Sequence, residues 1–467
     1  MKRGNIALGV IALITAVCWL TTMPFYTTSL LKQFSQLLGA FALVGFACAN
    51  YISTRHCPLN SLFNGLDKAY IAHKWLGITS LGLAVAHLVT LNIGRHGQGP
   101  GQGPGRGAEW AAVPVHESPL VHIGGPCLAL FVVLILLALV AKRMNYERWK
   151  TLHKIMVLPY VFGVLHYYGS SSYGAFDVSP FSIWLNCVNV IGIVSAVYSI
   201  FLYEKIAFPY RYKVSGVQSV AKETVEITGR AIGKGMIYKP GQFTFVKFPG
   251  KNIRFPSHPF TLNGAPQSSA QQEGVHTADA GIQFTVKNLG DHTAKMITAV
   301  KTGDEFAVTA PHGMFDYTTG GPRQVWIAGG IGVTPFRSFY LADIPEDFSI
   351  DFFYAYHGEE EGAYLDEMRA LKKSNLRMHL IDDTQQGFLT VEKMEKYLKG
   401  IKGDRLHTEA PLEKALVDIY FCGPKPMRDT LLKDISKRWR GADAGKNPKS
   451  NGMCVAGLHF EEFQFGR

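Results

Sequence analysis

Four histidines in two apolar, helix-length segments are the side chains of this sequence best suited to hold metal centres. The first segment carries His73 and His87, and the second carries His153 and His166. The fourteen residues from His73 to His87 correspond to about 21 Å along a helix, and their rings project within about 40° of each other. Imidazole in hydrocarbon is costly unless it is bonded, and an axial bond to haem iron would satisfy it. The pattern predicts two metal centres at different depths of a membrane, one at His73 with His153 and one at His87 with His166.

The second segment has a histidine spacing that an ideal helix does not accommodate. The thirteen residues from His153 to His166 would turn the second ring well over 90° away from the first. Pro159 lies between them, and a proline kink or bulge would restore the alignment. The alternative is that each histidine hydrogen-bonds to a neighbouring helix or relays protons without any metal.

Six apolar segments in the first 205 residues are candidate membrane spans. They are residues 6–27, 35–52, 71–91, 121–141, 151–169 and 183–203. Lysine and arginine are more numerous in the connections on the N-terminal side, so the positive-inside rule places that side, and everything after Lys205, in the cytosol. The first segment has no convincing cleavage site and is interpreted as a retained helix. We therefore expect a multi-pass integral membrane protein of a bacterial inner membrane.

The overall composition argues against several other functions. The 467 residues have a formal net charge of +11, part of which is the positive-inside signal, and no basic-aromatic patch indicates nucleic acid. The seven cysteines contain no CxxC pair, so we expect neither a disulfide framework nor a cysteine-ligated metal. A Gly/Pro/Gln-rich tract at 94–110 is expected to be an outer loop. The nearby His96, His116 and His122 are either solvated or a weak metal-collecting group.

After Tyr210 the sequence changes to short alternating strands, which predict a small antiparallel barrel. This part contains Pro240-Gly241-Gln242-Phe243 and, one loop later, His258-Pro259-Phe260-Thr261. Without further context, the second motif is often only a core strand. The segment 286–293, with Lys287, Gly290 and Thr293, offers backbone N–H groups, a cation and a hydroxyl at a glycine turn, which suit a diphosphate.

From Arg323 onward, strand, glycine turn and helix alternate. This rhythm predicts a parallel, doubly wound sheet with ligands at the carboxyl ends of its strands. The first turn, with Gly329, Gly330, Gly332, Thr334 and Pro335, would let a pyrophosphate approach a helix N-terminus. A later strand ends in Cys422-Gly423-Pro424. Taken alone, such a turn often marks only a tight connection, and such a cysteine is often a buried structural thiol.

The order of these motifs resembles the ferric reductase and NADPH oxidase family of transmembrane flavocytochromes over almost the whole chain. The resemblance implies a multidomain protein with a six-helix transmembrane bundle at 1–205, an antiparallel β-barrel FAD domain at 206–320 and a doubly wound α/β nicotinamide-binding domain at 321–467. It implies that the four histidines are axial ligands of two b-type haems, and that FAD contacts the 258–261 motif and the 286–293 segment. Thr261 and Cys422 would lie at the reacting rings, and the 329–335 turn with Gly423 and Pro424 would hold the coenzyme.

Two departures from the family pattern concern the coenzyme and the flavin. Where NADPH-dependent members often have an arginine, this chain has Tyr356-His357-Gly358 followed by glutamates at 359–361. The sequence therefore favours NADH, although Arg369, Lys372 or Arg377 could reach a 2′-phosphate. The family tends to end in an aromatic residue that covers the flavin. Phe463 and Phe465 compete for that place, and we assign Phe465, although both could simply finish a terminal strand.

The function implied by the resemblance is electron transfer from cytosolic NADH or NADPH through FAD and two haems to an acceptor on the outer side. A ferric chelate and dioxygen both fit as the acceptor, and membrane lipid is the expected surrounding. The alternative is a membrane transporter or sensor whose histidines relay protons and whose attached flavin reductase works in the cytosol without haem.

Overall fold

The structure, a computed structural model, describes residues 2–22, 30–96, 119–139, 146–170, 177–250, 254–265, 281–399, 416–441 and 453–461. The chain separates into two compact units. We call Met1–Lys205 the helical unit and Ile206–Glu462 the sheet unit. The tract at 97–110 and His116 lie outside the described residues, and His122 is exposed in a 3-10 turn, Pro119–Ile123.

The helical unit is a bundle of long apolar helices joined by shorter ones. Its helices are α1 (Lys2–Thr22), α2 (Leu30–Ser53), α3 (Pro58–Phe63), α4 (Leu66–His96), α5 (Gly124–Leu139), α6 (Tyr146–Lys154), α7 (Val157–Ser170), α8 (Pro180–Val197) and α9 (Tyr203–Ile206). A π-helical turn, Tyr198–Leu202, joins α8 to α9. In the described part of the chain, five stretches are long and apolar enough to cross a membrane, namely Arg3–Thr22, Leu30–Ser53, Leu66–Ile93, Pro119–Leu139 and Pro180–Ile206.

The predicted span at 151–169 is two helices, so the count of six spanning helices is not confirmed. Helix α6 has 9 residues and α7 has 14, and neither is long enough to count as a span alone. Pro159, near the start of α7, has no N–H to donate to residue 155, and its ring would clash with that carbonyl. The helix accordingly breaks there, with tight bonds from Ile155 N to Leu152 O (3.0 Å) and from Met156 N to His153 O (3.1 Å). This break lies between His153 and His166, where the sequence requires a kink.

Helix α2 lies at the centre of the helical unit because small residues let its neighbours approach closely. Gly45 packs against Ser80 of α4, where a Cβ atom on residue 45 would displace the Ser80 hydroxyl. On its other side, the ring of Phe46 stacks on Phe131 of α5 with centroids 4.1 Å apart. These contacts hold α2 in a fixed register with α4, the helix that carries His73 and His87.

The sheet unit begins with six antiparallel strands, which we call the antiparallel lobe. They are β1 (Tyr210–Ala221), β2 (Thr224–Ala231), β3 (Phe243–Pro249), β4 (Arg254–Thr261), β5 (Gly281–Lys287) and β6 (Glu305–Val308), with helix α10 (Asp291–Ala299) between β5 and β6. The strand order is β4-β3-β6-β1-β2-β5, around a core that includes Tyr212, Phe248, Phe284 and Phe306. Among the described residues, the edge strands are linked only by the single bridge from Leu262 to Phe284, so a closed barrel is not confirmed.

The rest of the sheet unit is a parallel sheet flanked by helices, which we call the parallel lobe. Its strands are β7 (Arg323–Gly329), β8 (Ser349–Tyr356), β9 (Leu376–Asp382), β10 (Leu416–Cys422), β11 (Arg440–Gly441) and β12 (Cys454–Phe460), and its helices are α11 (Thr334–Leu341), α12 (Leu365–Ala370), α13 (Asp383–Gln386), α14 (Val391–Lys399) and α15 (Lys425–Arg438). The order β11-β12-β10-β7-β8-β9 reverses direction between β10 and β7. In such sheets, ligands bind at the carboxyl ends of the strands beside the reversal.

Candidate functional site

The structure brings the four histidines together as two pairs. His73 and His87 project from α4, His153 lies at the end of α6, and His166 lies on α7. The ring centroids of His73 and His153 are 5.8 Å apart, and those of His87 and His166 are 6.3 Å apart. Each pair joins one ring from α4 to one ring from the broken α6–α7 segment, as the sequence predicts.

Backbone carbonyls of α2 orient both histidines of α4. The Nδ1–H of His73 donates to the carbonyl of Ala49 at 2.8 Å, and that of His87 donates to the carbonyl of Ser35 at 2.7 Å. Ser35 and Ala49 are fourteen residues apart, the same spacing as the two histidines. Because a carbonyl only accepts, each Nδ1 carries the proton and each Nε2 keeps its lone pair for a metal.

The hydroxyl of Ser35 gives His87 two contacts that His73 does not receive from Ala49. Its Oγ lies 2.9 Å from the Nδ1 of His87 and donates to the backbone carbonyl of His87 at 2.8 Å. Glycines also border this pair. A Cβ on Gly124 would lie 2.7 Å from His166 Cε1, and one on Gly39 would lie 3.2 Å from His87 Nδ1. The pair formed by His87 and His166 therefore has more close neighbours in addition to its backbone carbonyl contact.

The ring separations in the two pairs fit haem, which needs only two ligands from the protein. Within the described part of the chain there is no cluster of three or more His, Cys, Asp or Glu residues that could hold a metal ion. A porphyrin supplies four donors of its own and needs only two axial ligands. Two nitrogen–metal bonds of about 2 Å and about 1.2 Å from each nitrogen to its ring centre separate the axial rings by about 6 Å. Both measured separations agree with this value.

The 258–261 motif lies on β4 and is brought to the start of α10. The His258 ring stacks on His292 with centroids 3.5 Å apart, and Phe260 lies 5.4 Å from Phe284. Pro259 pairs across the ladder with Phe245, and Thr261, at the end of the strand, is buried. The two segments in which the sequence predicts flavin contacts are therefore neighbours.

In the 286–293 segment, two of the predicted phosphate-binding groups already have protein partners. The hydroxyl of Thr293 accepts from Leu289 N at 2.9 Å and donates to Gly290 O at 3.0 Å. The Lys287 ammonium pairs with Glu361 of the parallel lobe at 3.0 Å. Gly290 borders open space, because a Cβ there would have no neighbour within 4 Å. Of these groups, the turn backbone at Gly290 is the most accessible to a diphosphate.

The glycine turn and the Cys-Gly-Pro loop pack backbone against backbone at the carboxyl ends of β7 and β10. A Cβ on Gly332 would lie 2.2 Å from the carbonyl oxygen of Cys422, and one on Gly329 would lie 2.8 Å from Pro424 Cδ. A Cβ on Gly423 would lie 3.0 Å from the backbone N of Gly329. The turn continues as Gly330–Val333 into α11, where Thr334 donates to Ile331 O at 3.1 Å and Pro335 occupies the first turn.

Gly330 is the position of this turn that is most open to a ligand. Its φ of +53° lies in the left-handed region, and a Cβ there would have no neighbour within 4 Å. A pyrophosphate could approach the backbone at this point and reach the N-terminus of α11.

Glu461 is a site residue that the sequence analysis missed. It follows β12, is buried, and accepts a hydrogen bond from Met314 N at 2.7 Å. Burial and, to a smaller extent, the charge of Glu461 raise the pKa of Cys422, so this thiol stays protonated. The only sequence signal was an acid directly after the last strand. Phe463 and the assigned Phe465 lie outside the described residues.

The three glutamates at 359–361 are each paired with a cation. Glu359 pairs with Arg369 at 2.5 Å, Glu360 with Lys222 at 3.1 Å, and Glu361 with Lys287 at 3.0 Å. The acidic run is therefore largely neutralised and mostly ties the parallel lobe to the antiparallel lobe.

The other basic side chains considered for a 2′-phosphate lie away from the crevice. Arg377, near the start of β9, pairs with Asp351 at 2.7 Å, and Lys372 precedes β9 at the same amino edge of the sheet. His357 lies just beyond β8, at the carboxyl edge, with its Nδ1 2.6 Å from Asp383. Of the groups considered, His357 and Arg369 remain near the place where the adenosine ribose is expected.

Comparisons with known proteins give the same order of parts. Residues 38–164 match the family described as ferric reductase like transmembrane component, residues 210–316 match an FAD-binding domain, and residues 326–433 match an oxidoreductase NAD-binding domain. These matches follow the motifs in the order predicted, and they confirm the resemblance drawn from the sequence.

Individual relatives are similar to part of the chain. The propane 2-monooxygenase reductase component of Mycolicibacterium smegmatis is 26% identical over 236 residues, which is 48% of this chain and 62% of that protein. The flavohemoprotein of Halalkalibacterium halodurans is 28% identical over 251 residues, which is 48% of this chain and 56% of that protein. The matches therefore span less than two thirds of either relative.

Among solved structures, a ferredoxin NADP+ reductase from Neisseria gonorrhoeae is 16% identical and covers 54% of this chain and 99% of its own, with a TM-score of 0.39. Phthalate dioxygenase reductase is also 16% identical, and the match covers 54% of this chain and 68% of that one with a TM-score of 0.37.

Proposed function

Because the chain joins a ferric reductase like transmembrane component to FAD-binding and NAD-binding domains, the architecture of ferric reductase and NADPH oxidase flavocytochromes, we propose that it is a transmembrane oxidoreductase. It takes electrons from cytosolic NADH or NADPH and delivers them through FAD and two b-type haems to an acceptor on the outer side. The observation that carries this proposal is the presence of two histidine pairs, 5.8 and 6.3 Å apart, on the chain that also carries the nucleotide motifs.

In the helical unit, the residues of the chain hold and orient the axial ligands. The α2 carbonyls at Ser35 and Ala49 fix the Nδ1–H tautomer of His87 and His73. His73 with His153 would hold one haem, and His87 with His166 would hold the other. When bound, the flavin and haems would supply hydride acceptance and one-electron transport, and the protein would fix their order.

In the sheet unit, the crevice at the β7 and β10 strand ends would bind the coenzyme. The backbone of Gly330–Val333 and the N-terminus of α11 suit its pyrophosphate. Cys422 would contact the nicotinamide as a neutral thiol because its pKa is raised, and Glu461 would place a buried carboxylate beside it. Thr261, buried at the end of β4, would offer its hydroxyl to the flavin ring.

The site of electron delivery follows from the charge asymmetry of the helical unit. The excess of lysine and arginine on the N-terminal side supports a cytosolic sheet unit, and we assign the protein to a bacterial inner membrane. A ferric chelate or dioxygen on the outer side would then accept the electrons, and reduction of dioxygen would give superoxide.

The visible spectrum of the purified protein tests this function. We expect sharp reduced bands of bis-histidine haem after addition of NADH, and two haems per FAD. A protein with full flavin occupancy and no haem bands would contradict the transmembrane relay and favour a proton-relaying transporter or sensor instead.

A further inference from the structure

A buried ionic network joins the two lobes of the sheet unit at the helix that follows the coenzyme turn. Arg337 lies on α11, and its side chain is only 9% exposed. Its guanidinium donates to Glu226 of β2 at 2.8 Å and to Glu367 of α12 at 2.8 Å. The same group donates to the backbone carbonyl of Asn263, directly after β4 and Leu262, at 3.3 Å. One cation of the parallel lobe thus binds two elements of the antiparallel lobe.

Tyr364 closes this network from the other side. Its ring lies against the Arg337 guanidinium, with Cζ 4.3 Å from the ring centroid. Its hydroxyl is 2.7 Å from the carboxylate of Glu226 and 2.5 Å from the hydroxyl of Thr285 on β5. Its φ of +63° lies in the left-handed region, which non-glycine residues rarely adopt. The network therefore holds a residue whose backbone alone would favour another conformation.

A second contact fixes α11 next to Arg337. The backbone N–H of Gly241 donates to the hydroxyl of Ser338 at 2.8 Å. Gly241 has a φ of +83°, and a Cβ there would lie 2.0 Å from the carbonyl oxygen of Phe315. The turn at Pro240-Gly241 is therefore hydrogen-bonded to α11, the helix that follows the coenzyme-binding glycines.

Stability alone is a weak reason for such a network. The free energy needed to desolvate two charges is about as large as the free energy gained from their attraction. A buried ion pair therefore often stabilises a fold no more than apolar side chains of similar volume would. A network with one guanidinium, two carboxylates and directional hydroxyls does, however, accept one relative orientation of its parts. The parts joined here carry the coenzyme turn on one side and the strands of the flavin motifs on the other.

We propose that Arg337 and Tyr364 are positioning residues that set the distance for hydride transfer, an inference that rests on the proposed function. In this step the C–H bond of the dihydronicotinamide breaks and its hydride, one proton with two electrons, bonds to the flavin. NAD(P)H is oxidised as FAD is reduced, and a second proton comes from solvent. A displacement of about 1 Å between reacting groups costs roughly 100-fold in rate.

The test is rapid-mixing reduction of FAD by NADH in the full-length protein with Arg337→Lys and Tyr364→Phe. Lysine keeps the charge but loses the forked contacts, and phenylalanine keeps the ring but loses the hydroxyl. We expect the limiting rate of flavin reduction to fall by about 10- to 100-fold in Arg337→Lys, and less in Tyr364→Phe. We expect FAD content and the Kd for NADH to stay within about twofold, while the nicotinamide–flavin charge-transfer absorbance weakens.

Arg377→Lys is the matched control. Arg377 is also a partly buried arginine with two contacts to one carboxylate, but that carboxylate is Asp351 of the same lobe. The control should keep the parental rate and absorbance. Parental rates in both test variants would overturn the inference, and so would losses that only follow loss of FAD or of folded protein. If Arg337→Lys does not fold, the limiting rate of flavin reduction in Tyr364→Phe tests the inference, and a parental rate in that variant would contradict it. A parent protein whose flavin neither coenzyme reduces would overturn the proposed function itself.

Discussion

The helical unit and the sheet unit hold their candidate sites in different ways. In the helical unit, four side chains of one type sit on two helical segments, and neutral backbone carbonyls of α2 orient two of them. In the sheet unit, the site is assembled from loops at the ends of β4, β7, β10 and β12, and ion pairs such as Arg337 with Glu226 fix the lobes. Orientation without charge suits hydrocarbon, where ions are costly, whereas the ionic network of the sheet unit fixes the orientation of one lobe against the other.

This difference implies that each unit can be disabled without the other. A defect at a strand end should stop coenzyme oxidation and leave the haems, and a defect at a histidine should do the reverse.

Gly330→Val should produce the largest loss. Valine is strained at a φ of +53°, and its branches would fill the open space that the pyrophosphate needs. We expect flavin reduction by NADH to fall by at least about 100-fold while haem content stays normal. Stopped-flow absorbance and the haem-to-flavin ratio measure both.

Gly303→Val is the control for backbone strain in this comparison. Gly303 has a φ of +99° and open space around its Cβ, but it lies in the turn before β6. Its substitution should lower stability and leave coenzyme oxidation near the parental rate. Equal losses in both variants would show that strain, and not the coenzyme turn, explains the effect.

Asp351→Asn should destabilise the sheet unit without changing the haems. Asp351 is fully buried and is contacted by Arg323, Arg377 and His379. Removing its charge leaves the largely buried guanidinium groups of Arg323 and Arg377 without their carboxylate, which should cost about 3 kcal/mol of unfolding free energy. Thermal unfolding followed by flavin fluorescence measures the change. Asp366→Asn, which removes a fully exposed carboxylate paired with the half-exposed Arg369, should leave the unfolding temperature close to that of the parent.

The same carboxylate gives a pH dependence with a definite sign. Burial alone would raise the pKa of Asp351, but hydrogen bonds from Arg377 and His379 and the charge of Arg323 lower it overall. Its stabilising contribution is therefore present above the usual carboxyl pKa of about 4 and is lost as pH falls towards the lowered value. In Asp351→Asn, the part of the acid sensitivity below about pH 4 that belongs to this group should disappear.

Ser35→Ala tests orientation in the helical unit. Its hydroxyl contacts the Nδ1 of His87, whereas no hydroxyl occupies the matching position at Ala49. Loss of a hydrogen bond to the ring nitrogen that does not bind the metal typically weakens metal binding about tenfold. The variant should therefore lose the haem held by His87 and His166 more readily in detergent. Thr79→Ala is the control, because its exposed hydroxyl on the same helix donates to the Trp75 and Leu76 carbonyls of α4 itself. Equal haem retention in both variants would show that the Ser35 hydroxyl does not help His87 to hold a haem.

Coenzyme choice should show the smallest effect. Arg369 is already paired with Glu359, and Lys372 lies at the amino edge of the sheet, away from the crevice. We therefore expect a kcat/KM for NADH at least equal to that for NADPH. Steady-state assays with both coenzymes measure the ratio. A strong preference for NADPH would direct attention to His357 and Arg369.

The sequence predicted most of the helical site because helical periodicity is local. The common direction of the third and fifth predicted spans paired His73 with His153 and His87 with His166, although the thirteen-residue spacing did not fit an ideal helix, and Pro159 marked the segment that breaks. It did not reveal that this break divides the fifth predicted span into two short helices. It also did not reveal Ser35, because a register between α2 and α4 depends on close packing at Gly45 and Ser80.

In the sheet unit, the sequence predicted the parallel sheet and the two glycine-containing turns at its strand ends, which are local strand-and-turn patterns. It did not find Glu461 beside Cys422 or Arg337 between the lobes, because these contacts join residues far apart in the chain. It also treated the glutamates at 359–361 as a free acidic cluster. Their partners Lys222 and Lys287 come from another lobe, so no nearby residue signalled the neutralisation.

The central claim, two haem centres in series, is tested most directly by His166→Ala in oriented vesicles supplied with NADH. The pair at His73 and His153 lies about 20 Å away along the helices, so it should keep its haem. We expect one haem per flavin, normal reduction of FAD and of that haem, and no reduction of an impermeant acceptor on the outer side. Two haems per flavin with unchanged reduction of the outer acceptor would contradict the assignment of His87 and His166.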